Sequence, residues 1–325
     1  MLAAVLALTV LLLPTPGARS QPPPEEAPPP GQVPGQVPGA AFDESLSVSW
    51  VLVPVVVHAR GGHVEGLDRD DFRLFIDGRR TAIDELDLGE DVPLAAVYLQ
   101  DLSGSIANSG KLAASRRAVG ELLSRLREGD QVALATFAGD RLRIDVPFTG
   151  ETEALAEAAE LWEGYGTTAL HDAVSLLPDI SEEGRSGRRV AILVTDGQDN
   201  ASAIDPQEAV SIVRGARLPV YVLGLTAGRG SPGEADDDAY RYADLLKSLA
   251  EKTGGRYFEV PGAEEAAAAV AELVEDLRKR YVLAVTTAGD GPRTYHEIRV
   301  EAALPYRHTL TYRRGYVGTR PVERR

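Results

Sequence analysis

Apolar residues occupy every second position at Leu46, Val48, Trp50 and Leu52, then continue almost unbroken through 53–57. That alternation, rich in β-branched residues, predicts a strand over 44–60. Gly61-Gly62 breaks it, Phe72, Leu74 and Ile76 alternate again, and Asp77-Gly78 is a two-residue hairpin signal. Residues 81–88 read as a further strand, so the first folded stretch is expected to be antiparallel β. The period changes at Val92. From there short apolar runs at 94–99, 132–137, 142–148, 190–195, 220–225 and 257–260 alternate with helical spacing at 111–127, 151–162, 169–177, 240–252 and 264–280. A further helix opens at Asp205-Pro206, with a capping residue followed by proline at the first helical position.

Repeated β-then-α order predicts an α/β fold over 91–280: a doubly wound, mostly parallel sheet with helices on both faces. After Arg280 the pattern returns to β at 281–286, 296–302 and 310–312, punctuated by Gly289-Asp290-Gly291-Pro292 and Pro305. Neither terminal β stretch is sufficient alone. Residues 43–90 and 281–318 are therefore expected to pack together as a small β-sandwich flanking the α/β domain, with 319–325 as a tail.

Residues 2–13 are nearly all apolar and end at Pro14. About twelve residues span roughly 18 Å as a helix, against roughly 30 Å of hydrocarbon. Residues 1–20 therefore read as a secretory signal peptide, although no Lys or Arg precedes the apolar run. Residues 21–42 are rich in Pro and Gly, with GQVPGQVPG at 31–39, and read as an extended spacer. The expected location is outside the cytoplasm (periplasm, cell surface or medium), with no integral membrane span after signal cleavage.

Charge narrows the partner. A net charge of -15 argues against nucleic acid, which needs clustered Lys and Arg. Arg313-Arg314 and Arg324-Arg325 are too few for a polyanion site. With no cysteine, thiolate metal sites, disulfides and Cys nucleophiles are excluded.

Polar residues interrupt the apolar pattern at two strand ends. The strand at 94–99 runs into Asp101-Leu102-Ser103-Gly104-Ser105, and that at 190–195 into Asp196-Gly197. In an open doubly wound sheet this carboxyl edge is where ligands bind. Gly166-Thr167-Thr168 precedes a helix and falls at the same edge. Carboxylates and hydroxyls are hard oxygen donors, which without His or Cys suit Mg²⁺, or Mn²⁺ or Ca²⁺, better than Zn²⁺. Asp101, Ser103, Ser105, Thr168 and Asp196 are the candidate ligands. Two carboxylates leave such an ion residual positive charge, and a carboxylate from a partner protein is the natural visitor. Taken singly, the pieces have plainer readings as a capped helix start, a helix N-cap and a turn. Their joint occurrence at one sheet edge favours the ion.

Asp101-Leu102-Ser103-Gly104-Ser105, Thr168 and Thr195-Asp196-Gly197, in this order, closely resemble the metal-ion-dependent adhesion site of von Willebrand factor type A domains, of the kind found in exported bacterial proteins. The resemblance spans roughly 91–280 and takes in the Gly129-Asp130 turn and Phe137. It implies that Ser103 and Ser105 coordinate the ion directly and Thr168 directly or through water. Asp101 and Asp196 would act mainly through water or as anchors. Thr167 stands where the family usually has glycine, and Gln100 where it has an apolar residue.

The implied function is adhesion-type protein binding rather than catalysis. The rivals are an exported metal-dependent hydrolase and a structural module of a cell-surface assembly. Neither serine lies in a Gly-x-Ser-x-Gly elbow, and the three loops hold no Lys or Arg to steady a phosphate. Asp199 and Asn200 read as rim residues, His171 as an ordinary helix residue, and 234–238 as a solvated acidic loop.

Overall fold

The computed structural model describes residues 48–89, 92–107, 110–226, 237–288 and 294–318. The expected signal peptide, spacer and tail lie outside the described residues, as do the side chains of the acidic run at 234–238. Five strands come first: β1 Val48–Ala59, β2 Gly62–His63, β3 Phe72–Ile76, β4 Arg79–Thr81 and β5 Glu85–Asp87. The α/β stretch follows with β6 Leu94–Asp101, α1 Gly104–Ala107, α2 Lys111–Ser124, β7 Gln131–Ala138, β8 Arg141–Thr149, α3 Thr152–Glu160, α4 Leu170–Ser175 and α5 Leu177–Glu182. It continues through β9 Arg188–Thr195, α6 Pro206–Gly215, β10 Val220–Leu225, α7 Asp237–Thr253, β11 Tyr257–Val260 and α8 Ala263–Arg278. The chain then returns to strands: β12 Tyr281–Ala288, β13 Tyr295–Ala302, β14 His308–Tyr312 and β15 Gly315–Val317.

The central sheet has the order β11-β10-β9-β6-β7-β8 and is parallel except for β8, which runs antiparallel to β7. Every residue of β6 is buried, as its unbroken apolar run demands of a strand covered on both faces. Leu94, Ala96 and Tyr98 pack with residues of α2, α3 and α8, while Val97 and Leu99 pack with residues of α4 to α7. The chain moves from β6 out to β7 and β8, then crosses back to β9 on the other side of β6. The switch point of the sheet therefore lies between β6 and β9, and in such sheets a crevice opens there at the carboxyl edge. Asp205 caps α6 as expected, its Oδ1 accepting from the backbone N–H groups of Gln207 (2.8 Å) and Glu208 (2.9 Å).

The terminal strands interleave. β1 lies between β14 and β12 with β5 beyond β12, and the facing sheet runs β15-β13-β3-β4. Val51, Val53, Val55 and Val57 of β1, Leu74 of β3, Leu283 of β12 and Ile298 and Val300 of β13 share one core. Each terminal stretch thus supplies strands to both sheets. Two expectations are corrected here. Residues 81–88 form no single strand: β4 closes a hairpin with β3 through Asp77-Gly78, where φ is +49° and +75°, whereas β5 joins the other sheet beside β12. The helix at 169–177 instead gives two short helices, because Pro178 near the start of α5 has no N–H to continue the ladder of α4. Among the described residues no helix is long and apolar enough to cross a membrane.

Leu283 is fully buried in the shared core. Leu283→Ala is expected to cost about 2–5 kcal/mol in urea unfolding. A near-neutral result would contradict a core built jointly by the two terminal segments.

Candidate metal centre

Asp101 is the last residue of β6, and Asp196 follows β9 directly, so the two carboxylates flank the switch point. Both are buried. Asp101 Oδ1 accepts from the backbone N–H of Ser103 at 2.8 Å, and its Oδ2 accepts from the Thr195 hydroxyl at 2.6 Å. The same Thr195 oxygen accepts from the Gly197 N–H at 3.0 Å. One short chain of hydrogen bonds thereby ties the loop after β6 to the loop after β9. Ser103 and Ser105 hydroxyls stand 3.1 Å apart. Ser103 is buried and Ser105 half-buried.

The third loop docks on both. Gly104 N–H donates to Gly166 O at 3.1 Å, and a Cβ on Gly104 would come within 3.3 Å of that oxygen, so the small residue permits the approach. Tyr165 N–H donates to Leu102 O at 2.7 Å. Thr168 N–H donates to Asn200 Oδ1 at 2.8 Å, and Thr168 O accepts from the Asn200 N–H at 3.0 Å. Thr168 is buried and Thr167 exposed, which makes Thr168 the inward member of the pair. Gly197 holds φ at +82°, a backbone conformation that residues with a Cβ rarely adopt, and a Cβ there would lie 2.9 Å from Leu246 Cδ1 and displace it. The three loops named by the sequence therefore meet at one edge.

Burial pushes the Asp101 carboxyl up to about 6. The Thr195 hydroxyl and the Ser103 groups bond to its charged form and pull the other way, and the charge of Asp196 adds to the rise. Two buried carboxylates this close favour a positive charge between or beside them. Lys111 supplies one. Its ammonium, itself almost fully buried, donates to Asp196 Oδ2 at 2.8 Å and lies 3.5 Å from Ser105 O.

Sequence reasoning missed Lys111, and a signal was available. Lys111 opens α2, at the helix end whose dipole disfavours cations. A lysine there calls for an acidic partner. Asn200 and Asp199 also do more than form a rim. Asn200 fixes the Thr168 backbone, and Asp199 accepts from the His171 N–H (3.1 Å) and Ser202 hydroxyl (2.5 Å). His171 Nδ1 lies 3.3 Å from the same carboxylate.

An open doubly wound sheet with hydroxyls and carboxylates gathered at its switch point defines an α/β domain whose carboxyl edge is built from hard oxygens. Residues 97–275 match the von Willebrand factor type A domain, and the chain belongs to that family. The uncharacterized protein YfbK of Escherichia coli is 30% identical over 161 residues, which cover 48% of this chain and 28% of that protein. The magnesium-chelatase 67 kDa subunit of Chlorobaculum parvum is 26% identical over 181 residues, 52% of this chain and 29% of that protein. The matched stretch thus spans less than about a third of either curated relative. Among solved structures, von Willebrand factor type A from Catenulispora acidiphila aligns over 84% of this chain and 74% of its own, at 14% identity and a TM-score of 0.49. The vWF domain of the type V pili tip protein Mfa5 from Porphyromonas gingivalis aligns over 57% and 94%, at 14% identity and a TM-score of 0.43.

Removing one partner of a buried ion pair strands the other. In chelator, Lys111→Met is expected to lose about 3 kcal/mol of stability by denaturant unfolding. Lys111→Met combined with Asp196→Asn should recover much of it. Equal stability of wild type and Lys111→Met would show that the pair contributes nothing.

Proposed function

We propose that this domain binds a protein partner through one divalent cation held at the switch point by Ser103, Ser105 and Thr168, with Asp101 and Asp196 as anchoring carboxylates. The observation that carries the reading is the Lys111 ammonium against Asp196, because a positive charge is already drawn to the place where the oxygens gather. The donor set fits the group: it is all oxygen, partly buried and drawn from three loops that bond to one another. Such a set suits Mg²⁺, with Mn²⁺ or Ca²⁺ as alternatives. When bound, the ion would supply an electrophilic centre for a carboxylate of the partner.

This chain's own residues do the remaining work. Thr195 holds Asp101 ionised against its burial, Asn200 fixes the Thr168 loop, and Gly104 lets that loop approach. Lys111 and the cation would compete for Asp196, which makes the lysine a built-in counter-charge for the ion-free state. Binding is favoured over hydrolysis because His171, the imidazole closest in sequence, is paired with Asp199 rather than set against a serine. An exported location fits the apolar run at 2–13 and the spacer after it.

Mg²⁺ titrated calorimetrically into the wild type should bind with a stoichiometry of about one and raise the melting temperature by mass action. Asp101→Ala and Ser103→Ala should abolish that heat while keeping the circular dichroism of the fold, and Lys111→Met should tighten binding. Unchanged Mg²⁺ affinity in both loop variants would sink the assignment. For the partner, an array of Asp- and Glu-containing peptides beside their Asn and Gln counterparts should show chelator-sensitive binding to the acidic set alone. Equal binding to both sets would remove the carboxylate from the proposal.

A further inference from the structure

A second group of donors draws on the first hairpin and on α8: His58 at the end of β1, His63 on β2 and Asp276 in the last turn of α8. His58 Nε2 and His63 Nε2 stand 3.1 Å apart, and both lie against one oxygen, Asp276 Oδ1, at 2.9 and 2.7 Å. The Asp276 side chain is fully buried, that of His63 is 5% exposed and that of His58 14% exposed.

Protons alone satisfy this triangle poorly. If both Nε2 atoms carry hydrogen, two donors face each other across 3.1 Å. If only one does, the bare nitrogen points its lone pair at a carboxylate oxygen. A cation at the centre turns all three lone pairs to use. The edges of the triangle are near the roughly 3.3 Å that separates ligands at about 2.05 Å from a tetrahedral ion, so a shift of a few tenths of an ångström opens it.

The surroundings orient the same three atoms. His63 Nδ1 lies 3.3 Å from Glu275 Oε2, the arrangement in which a carboxylate takes the Nδ1 hydrogen and leaves Nε2 bare for a metal. Arg256 Nη1 lies 3.4 Å from the other Asp276 oxygen, Oδ2, and 2.6 Å from Glu272, so Oδ1 is the oxygen turned to the histidines.

We propose that His58, His63 and Asp276 bind a transition-metal ion of the Zn²⁺ class. Two imidazoles and one carboxylate are borderline donors, in contrast to the all-oxygen set at the switch point. The ion joins the β1–β2 hairpin of the sandwich to the last helix of the α/β domain, fixing α8 at the end opposite its entry from β11. It requires nothing from the switch-point reading and stands or falls separately.

The test uses the whole chain, stripped of metal with chelator and titrated with Co²⁺, whose visible bands report nitrogen-containing tetrahedral sites. One equivalent should produce those bands, and Zn²⁺ should abolish them by displacement. His63→Gln and His58→Gln should weaken Zn²⁺ binding by at least about 100-fold. Asp101→Ala, which removes only the oxygen site, should leave the bands intact. Absence of visible bands in the wild type would overturn the proposal whatever the variants do. So would bands that survive both histidine substitutions, or bands lost in Asp101→Ala and kept in His63→Gln.

Discussion

Asp101 ends the central strand with its carboxylate removed from water, and Thr195, on the neighbouring strand across the switch point, donates to it at 2.6 Å. That contact joins two pieces of chain almost a hundred residues apart in sequence and sets the geometry of the edge. From it follow the Ser103 N–H on the other carboxylate oxygen, the Gly197 N–H on Thr195, and the position of Asp196 next in the chain. The arrangement is costly without a positive charge, since burial and the neighbouring charge of Asp196 outweigh the Thr195 and Ser103 hydrogen bonds and leave the Asp101 carboxyl raised to about 6. A lysine at the start of α2 supplies one from within the chain, and the proposed cation would supply another from outside.

The two candidate ion sites differ in donor chemistry and in what they join. At the switch point, hydroxyls and carboxylates from three loops of the α/β stretch gather at the sheet's carboxyl edge. At His58, His63 and Asp276 the donors come from the sandwich and from α8, and an ion there would hold one part of the fold to another. Hard oxygen and borderline imidazole sets draw on different metals, so a single chain can carry both without competition. The sandwich itself depends on both ends of the chain, with β1 seated between two strands that follow α8.

Most of the α/β fold was legible because its signals are local. The unbroken apolar runs at 190–195 and 220–225 match β9 and β10, and an Asp-Pro start marks α6. The meeting of the three loops was legible too, because each follows or precedes an element of known direction in the sheet. What escaped depends on distance. Nothing in 81–88 tells that β4 and β5 part to opposite sheets, since that choice is made by β3 and by β12 two hundred residues on. β15 is three residues long, too short for a period. Lys111, a cation at the start of α2, signals an acidic partner but not which one, and Asp196 lies 85 residues further on. His58 and His63, five residues apart, form a cluster only with Asp276, 213 residues beyond His63.

The most direct test of the central claim is a crystal structure of the protein grown with Mg²⁺. The expected result is one ion at the switch point, with an oxygen-only shell at about 2.1 Å that includes the Ser103 and Ser105 hydroxyls, and with the Lys111 ammonium moved off Asp196. A crevice at saturating Mg²⁺ in which Lys111 still holds Asp196, and no ion touches either serine, would contradict it.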